Sequence, residues 1–217
     1  GFYYKPRVDH DLLRQYSRGL VCLSACLAAE VPRALVAENY DEAKRTAMLY
    51  RDIFGEENYF LELQDHPSIP EQKIVNDGII HLSKDLSLPL VCTSDVHYLN
   101  REDMAIQDVL ICVQTGKTLD DPKRLKMTSD TNFFRSPDDM GKIFRHVPEA
   151  VSNTAMIADM CELEIKTGTW VLPHYPVPQE QTTEEHLREK VLEGLRKRRT
   201  AGMLGKLGKG RPATPAA

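Results

Sequence analysis

The chain has 217 residues, 41% hydrophobic and 28% charged, with a formal net charge of −4 at pH 7, the make-up of one or two ordinary globular domains. No apolar run approaches the roughly 18 residues that cross a bilayer, and the N-terminal residues lack the basic-then-apolar order of a signal peptide, so a cytoplasmic protein without a membrane partner is expected. The five cysteines, at 22, 26, 92, 112 and 161, are odd in number and form no CxxC pair, which argues against a disulfide framework and for reduced thiols, most of them in the core.

In chain order, a polar opening, "YKPRVDHDLLRQYSRG", precedes "LVCLSAC", a short apolar strand introduced by Gly19. "VPRALVAEN" and "DEAKRTAMLYRDIFG" then show helical spacing, with Ala43, Ala47, Tyr50 and Phe54 on one stripe and Gly55 as the stop. "NYFLELQ" reads as the second strand. The helix "PEQKIVNDGIIHLSKDLS" follows, with Pro70 in its first turn and Ile74, Ile79, Ile80, Leu82 and Leu86 as its apolar side, and "LPLVCTS" is the third strand. Beyond it the signals are helical. "NREDMAIQDVLICVQTGK" starts at Asn100 with Asp103 in capping-box spacing, "SPDDMGKIFRH" has Ser136 as N-cap and Pro137 at the first position, and "VPEAVSNTAMIADMC" follows closely. A proline-rich connector covers residues 166–182. It marks a domain boundary, after which "TTEEHLREKVLEGLRKRR" opens a new helix with Thr182 and Glu185 in capping-box spacing over 183–200. The tail, 201–217, has no periodic pattern and reads as disordered.

Charge is unevenly spread. Residues 187–211 hold nine of the 28 basic residues and two of the 32 acidic ones, leaving 19 basic against 30 acidic residues elsewhere. An acidic body with a basic end is most simply a solvated helix face and tail, although that end has the charge to touch phosphate.

Strand, helix, strand, helix, strand, with continuous apolar runs in the first and third strands, predicts an α/β fold: a parallel sheet or barrel covered by helices. Three strands cannot close a barrel, which takes about eight. With an opening of Gly-Phe-Tyr-Tyr and no initiator methionine, the chain reads as a piece of something longer.

The candidate chemistry sits at the strand ends. Asp95 and His97, two residues apart where the third strand ends, are expected to project from one face. Such a pair commonly does no more than cap a turn. Parallel α/β barrels, however, gather their sites at the C-terminal ends of strands, and Cys26 ends the first strand in the same way. Cys, Asp and His together make a sensible ligand set for zinc or manganese. Glu62 and His66, just past the second strand, either line such a site or simply contact each other. His81 reads as a surface residue, and nothing is assigned to His10, His146, His174 or His186. "KLGKG" fails the phosphate-loop pattern, and neither a nucleophile elbow nor a pair of polymerase carboxylates occurs.

"GFYYKPRVDHDLLRQYSRGLVCLSACLAAEVPRAL", "YFLELQDH", "LPLVCTSDVHYLNREDMAIQDVLICVQTGKTLDDPKR" and "FRSPDDMGKIFRHVPEAVSNTAMIADMC" resemble consecutive stretches of the alpha-subunit family of bacterial DNA polymerase III, the C-family replicative polymerases. The resemblance runs from Gly1 to about Arg198. It implies the second half of a PHP domain, a distorted (β/α)7 barrel with a metal-binding face, followed by a connector into the polymerase palm. It also implies that Cys26, Asp95 and His97 match three of the family's metal ligands, with the rest in an N-terminal half outside this sequence. Ala29 departs from the glycine usual in the family, and the likeness stops after about Arg199.

The function this implies is DNA-templated DNA synthesis by a full-length nucleotidyltransferase, with zinc or manganese at the PHP site and magnesium at a polymerase site outside this sequence. Members with all their ligands bind divalent metals, and some proofread with a 3′–5′ exonuclease. DNA and other replisome subunits, a proofreading subunit among them, are the expected partners, and this chain alone is expected to be inactive. Two alternatives stand beside this: a free-standing PHP phosphoesterase, and a metal-free PHP scaffold that binds a proofreading partner.

Overall fold

The computed structural model describes the chain except residues 1, 4, 128, 171, 172, 174 and 202–217, so all but the first residue of the tail read as disordered lies outside the described residues. Two compact units emerge, Gly1–Leu163 and Glu164–Ala217.

The first unit opens with a two-stranded antiparallel pair, β1 (Phe2–Tyr3) and β2 (Lys5–Pro6). Helix α1 (His10–Tyr16) follows within what the sequence presents only as a polar opening. Its start signal is Asp9, whose carboxylate accepts a hydrogen bond from the Leu12 amide at 2.9 Å. Then come β3 (Cys22–Leu23), α2 (Glu30–Val36), α3 (Tyr40–Phe54), β4 (Tyr59–Gln64), α4 (Pro70–Leu86) and β5 (Leu90–Thr93). A 3-10 turn (Arg101–Asp103) leads into α5 (Met104–Thr115), and α6 (Pro137–Ile143) and α7 (Pro148–Met160) finish the unit.

The three main strands form a parallel sheet in the order β3-β4-β5, with Cys22 opposite Tyr59 and Leu61 opposite Leu90. All six residues of β4 are buried, as expected of a central strand covered on both faces. Tyr59, Leu61 and Leu63 on one face share a core with Val31 and Leu35 of α2, Ala43 and Ala47 of α3, and Val75, Ile79 and Leu82 of α4. Phe144, Val147 and Ala150 extend that core toward α7. Close approach of α2 and α4 depends on Gly78, where an added Cβ would lie 2.7 Å from Leu35 Cδ2.

Several expectations need correcting. The first strand is only Cys22–Leu23, because Ala25 takes a left-handed conformation at φ 61° that ends the extended run. Ile74 is 48% exposed; it lies one residue off the Val75–Ile79–Leu82 stripe, and Gln72 is buried on the core side. Cys92 and Cys112 are core thiols, whereas Cys22 and Cys26 are half-buried and Cys161 is exposed.

Capping chemistry matches expectation: Asn100 with Asp103, and Thr182 with Glu185, form capping boxes, and Ser136 accepts from the Asp139 amide. The second unit contains α8 (Thr183–Thr200), which has no buried residue. Among the described residues no helix is long and apolar enough to cross a membrane.

Candidate functional site

Beyond the C-terminal ends of the parallel strands lies a cavity of about 440 Å³ whose walls include Cys26, Gln64, His66, Asp95, His97 and Asn132. The three residues singled out in the sequence thus line one cavity. Each arrives by a turn rather than by extended strand. Ala25, immediately before Cys26, has φ 61°, and Asp95, two residues past the end of β5, has φ 47°. Left-handed conformations outside glycine cost energy, least for Asp and Asn, and two of the four among the described residues fall at this rim, after the strands that flank β4 on either side.

The closeness of Asp95 and His97 is therefore not the i, i+2 alternation of a strand. The turn at Asp95 folds the chain so that His97 Nδ1 donates to the Asp95 backbone carbonyl at 2.6 Å and lies 4.0 Å from Asp95 Oδ1. A carbonyl only accepts, so Nδ1 carries the proton and the lone pair sits on Nε2.

A distant segment clamps this turn. Asn132 accepts at its backbone carbonyl from the His97 amide at 2.8 Å, and its side-chain amide donates to the carbonyl and carboxylate of Asp95 at 3.1 and 3.2 Å. Tyr98 bridges to Phe133 in parallel fashion, and the Tyr98 hydroxyl donates to the Ser129 carbonyl at 3.3 Å. Arg135, nearly buried, donates to the Asp65 carboxylate at 2.7 Å and to its carbonyl at 3.2 Å, with its guanidinium 5.5 Å from the Phe133 ring centre. Nothing in the sequence pointed to Asn132 or Arg135. Neither belongs to a periodic element, and although Arg135 falls in the stretch beginning FRSPDD that carries the family resemblance, nothing there marks it out for a role.

His66 is 4% exposed. Its Nδ1 lies 2.8 Å from the Thr131 hydroxyl, and its Nε2, which has no hydrogen-bond partner among the described residues, lies 3.8 Å from Asp95 Oδ2. Burial pushes its pKa below the ordinary histidine value, against a smaller opposing pull from Asp95. Glu62, read from the sequence as lying past the second strand, is instead inside β4, and one of its carboxylate oxygens accepts from Gln64 Nε2 at 2.8 Å and from the Thr93 hydroxyl at 2.5 Å. Of the two readings for this pair, lining the site or mutual contact, His66 follows the first, on the cavity wall, while Glu62 follows neither and takes its polar partners from the strands.

Burial pushes the thiols of Cys22 and Cys92 up to about 11, whereas Cys26 is the cysteine on the cavity wall. Thiol, carboxylate and imidazole donors at one cavity, with the His97 tautomer already leaving Nε2 free, suit a divalent cation chemically. Among the described residues, however, no three His, Cys, Asp or Glu side chains stand close enough together to enclose one.

Residues 1–66 match the PHP domain family. Over nearly its whole length the chain is similar to proteins named DNA polymerase III subunit alpha. It is 44% identical over 196 residues to that of Treponema pallidum, 40% over 198 residues to that of Borreliella burgdorferi and 35% over 204 residues to that of Thermus aquaticus. These alignments cover 90%, 90% and 91% of this chain, but the chain spans only about 17% of the length of each relative. The likeness drawn from the quoted sequence stretches is borne out.

Proposed function

We propose, for a chain that opens in a PHP domain and is homologous over about 90% of its length to a stretch of DNA polymerase III alpha subunits, that it is part of a replicative DNA polymerase. In this reading residues 1–165 are the C-terminal part of a PHP barrel with a helical extension. Residues 166–182 are the connector, and 183–200 are the first helix of the palm region. The parallel order β3-β4-β5 under helices is what a barrel segment requires, and it supports that assignment.

The observation that carries a metal role is that Cys26, Asp95 and His97, from two separate strand ends, line one cavity. Those three would hold a zinc or manganese ion, with further ligands from outside this sequence. The ion would supply Lewis-acid stabilisation for phosphodiester hydrolysis, the chemistry of a 3′–5′ proofreading exonuclease. The chain's own part is positional. The Asp95 carbonyl orients the His97 ring through Nδ1, and the Asn132 amide holds the Asp95 carboxylate at the cavity wall. Polymerisation itself, with magnesium, belongs to the palm of the full-length subunit, whose partners are DNA and other replisome proteins.

One observation favours the scaffold reading instead: among the described residues no enclosing set of three ligands occurs. Metal analysis of the full-length subunit decides between them. Stoichiometric zinc or manganese that falls on combining Cys26→Ser, Asp95→Asn and His97→Gln supports a metal site, and a metal content unchanged by those substitutions overturns it. Primer extension should be found in the full-length subunit and not in this 217-residue chain.

A further inference from the structure

Resting on the assignment of Cys26, Asp95 and His97 as ligands, we propose that His66 is a positioning residue whose Nε2–H faces the Asp95 carboxylate across 3.8 Å, closes to a hydrogen bond on it when the ion is bound, and does not itself bind the ion. A histidine this buried, with one ring nitrogen unpartnered at a polar cavity, calls for an explanation. The question is which nitrogen carries the proton, because a ligand needs a lone pair where a donor needs a hydrogen.

The hydroxyl groups behind His66 answer it by counting. Ser129 Oγ accepts from the Thr131 amide at 3.2 Å and from the Ser68 hydroxyl at 3.3 Å, which occupies both of its lone pairs. Its own proton therefore points to its remaining partner, the Thr131 hydroxyl oxygen. Thr131 is buried, and among the described residues its own proton has no acceptor except His66 Nδ1, 2.8 Å away, so it is directed there. Nδ1 is the acceptor, so the neutral ring carries its hydrogen on Nε2, which lies 3.8 Å from Asp95 Oδ2, about 1 Å beyond hydrogen-bond length.

His97 is the mirror case. There the partner of Nδ1 is a carbonyl, the proton sits on Nδ1, and Nε2 keeps its lone pair. Two histidines on one cavity are thus set in opposite tautomers by what stands behind them. His97 is prepared to ligate, and His66 to hold the carboxylate that ligates.

The test is a two-bond proton–nitrogen spectrum of the metal-free chain labelled with 15N-histidine. His66 is expected as the Nε2–H tautomer and His97 as the Nδ1–H tautomer. Thr131→Val, with circular dichroism confirming the fold, should turn His66 into a mixture of tautomers. When zinc chloride is added to the full-length subunit, which supplies the further ligands, the His97 resonances should move to a coordinated position while His66 Nε2 stays protonated. Zinc affinity of the full-length subunit should fall roughly 10–100-fold in His66→Ala and return to within about threefold of wild type in His66→Gln, whose amide can donate but is a poor ligand. An Nδ1–H tautomer for His66, loss of its Nε2 proton on adding zinc, or wild-type affinity in His66→Ala would each overturn the proposal. If the full-length subunit binds no zinc while His66 keeps its Nε2–H tautomer, the ligand assignment falls and the placing of Nε2–H toward Asp95 is supported on its own.

Discussion

Asn132 donates the same side-chain amide to Asp95 twice, to the backbone carbonyl at 3.1 Å and to the carboxylate at 3.2 Å. Those bonds fix a residue whose backbone sits in the left-handed region, so they offset a conformational cost as well as aim a side chain. Asn132→Ala should destabilise the chain by about 1–2 kcal/mol in urea unfolding and weaken zinc binding about tenfold. The backbone bond from His97 to residue 132 survives this substitution, so the fold should persist. A variant with unaltered stability and affinity would show that Asn132 merely sits beside Asp95.

Arg135 reaches Asp65 with its side chain only 5% exposed. Removing the carboxylate leaves a guanidinium out of water with no counter-charge. Asp65→Ala is therefore expected to cost about 3 kcal/mol, more than an exposed ion pair is worth. Replacing both partners together, Asp65→Ala with Arg135→Met, should restore part of that loss. Chemical denaturation of the two single variants and the double variant measures it, and strict additivity would count against a coupled pair.

The lowered pKa of His66 has a pH consequence of definite sign. Unfolded, its imidazole titrates near 6.5; folded, burial keeps it neutral to lower pH. Below about pH 6.5 the unfolded chain takes up a proton that the folded one refuses, so stability falls with pH, by no more than about 1.4 kcal/mol per unit from this group. The loss stops once pH drops through the folded value. Unfolding free energies measured from about pH 7.5 down to about pH 5 should fall less steeply in His66→Gln than in wild type. Parallel curves would assign the pH dependence to other groups.

At Gly78 two effects compete. Alanine gains about 1 kcal/mol of helix propensity over glycine, yet its Cβ would meet Leu35 at 2.7 Å from Cδ2 and 3.0 Å from Cδ1. Leu35 is buried in the core and has little room to yield, so the clash should win, for a net loss of about 1–2 kcal/mol. Shortening Leu35 to alanine makes that room. Gly78→Ala should be stabilising in a Leu35→Ala background, and thermal unfolding of the four combinations shows whether the sign reverses.

What could be read from the sequence was local. The capping pairs Asn100–Asp103 and Thr182–Glu185 declare themselves within four residues, and the run leading through β5 is apolar because that strand is buried. Cys26, Asp95 and His97 were legible as strand-end residues of suitable chemistry, though their juxtaposition comes from turns at Ala25 and Asp95 and not from strand alternation. Ile74 misled because any apolar residue near a helical stripe looks buried, while the burial of polar Gln72 has no counterpart in a hydropathy pattern. Thr131, Asn132 and Arg135 could not be found at all, since their partners are set by tertiary contact.

The spacing along the chain of those contacts bears on how the molecule comes into being. Thr131 meets His66 across 65 residues and Arg135 meets Asp65 across 70, whereas the helices and caps close over a handful. Distant contacts form late, since the intervening chain must first give up its freedom. During synthesis on a ribosome, the strands and their helices can collapse while the 129–135 segment is still inside the exit tunnel. The histidine and aspartate then wait, wet and unaligned, for the stretch that orders them.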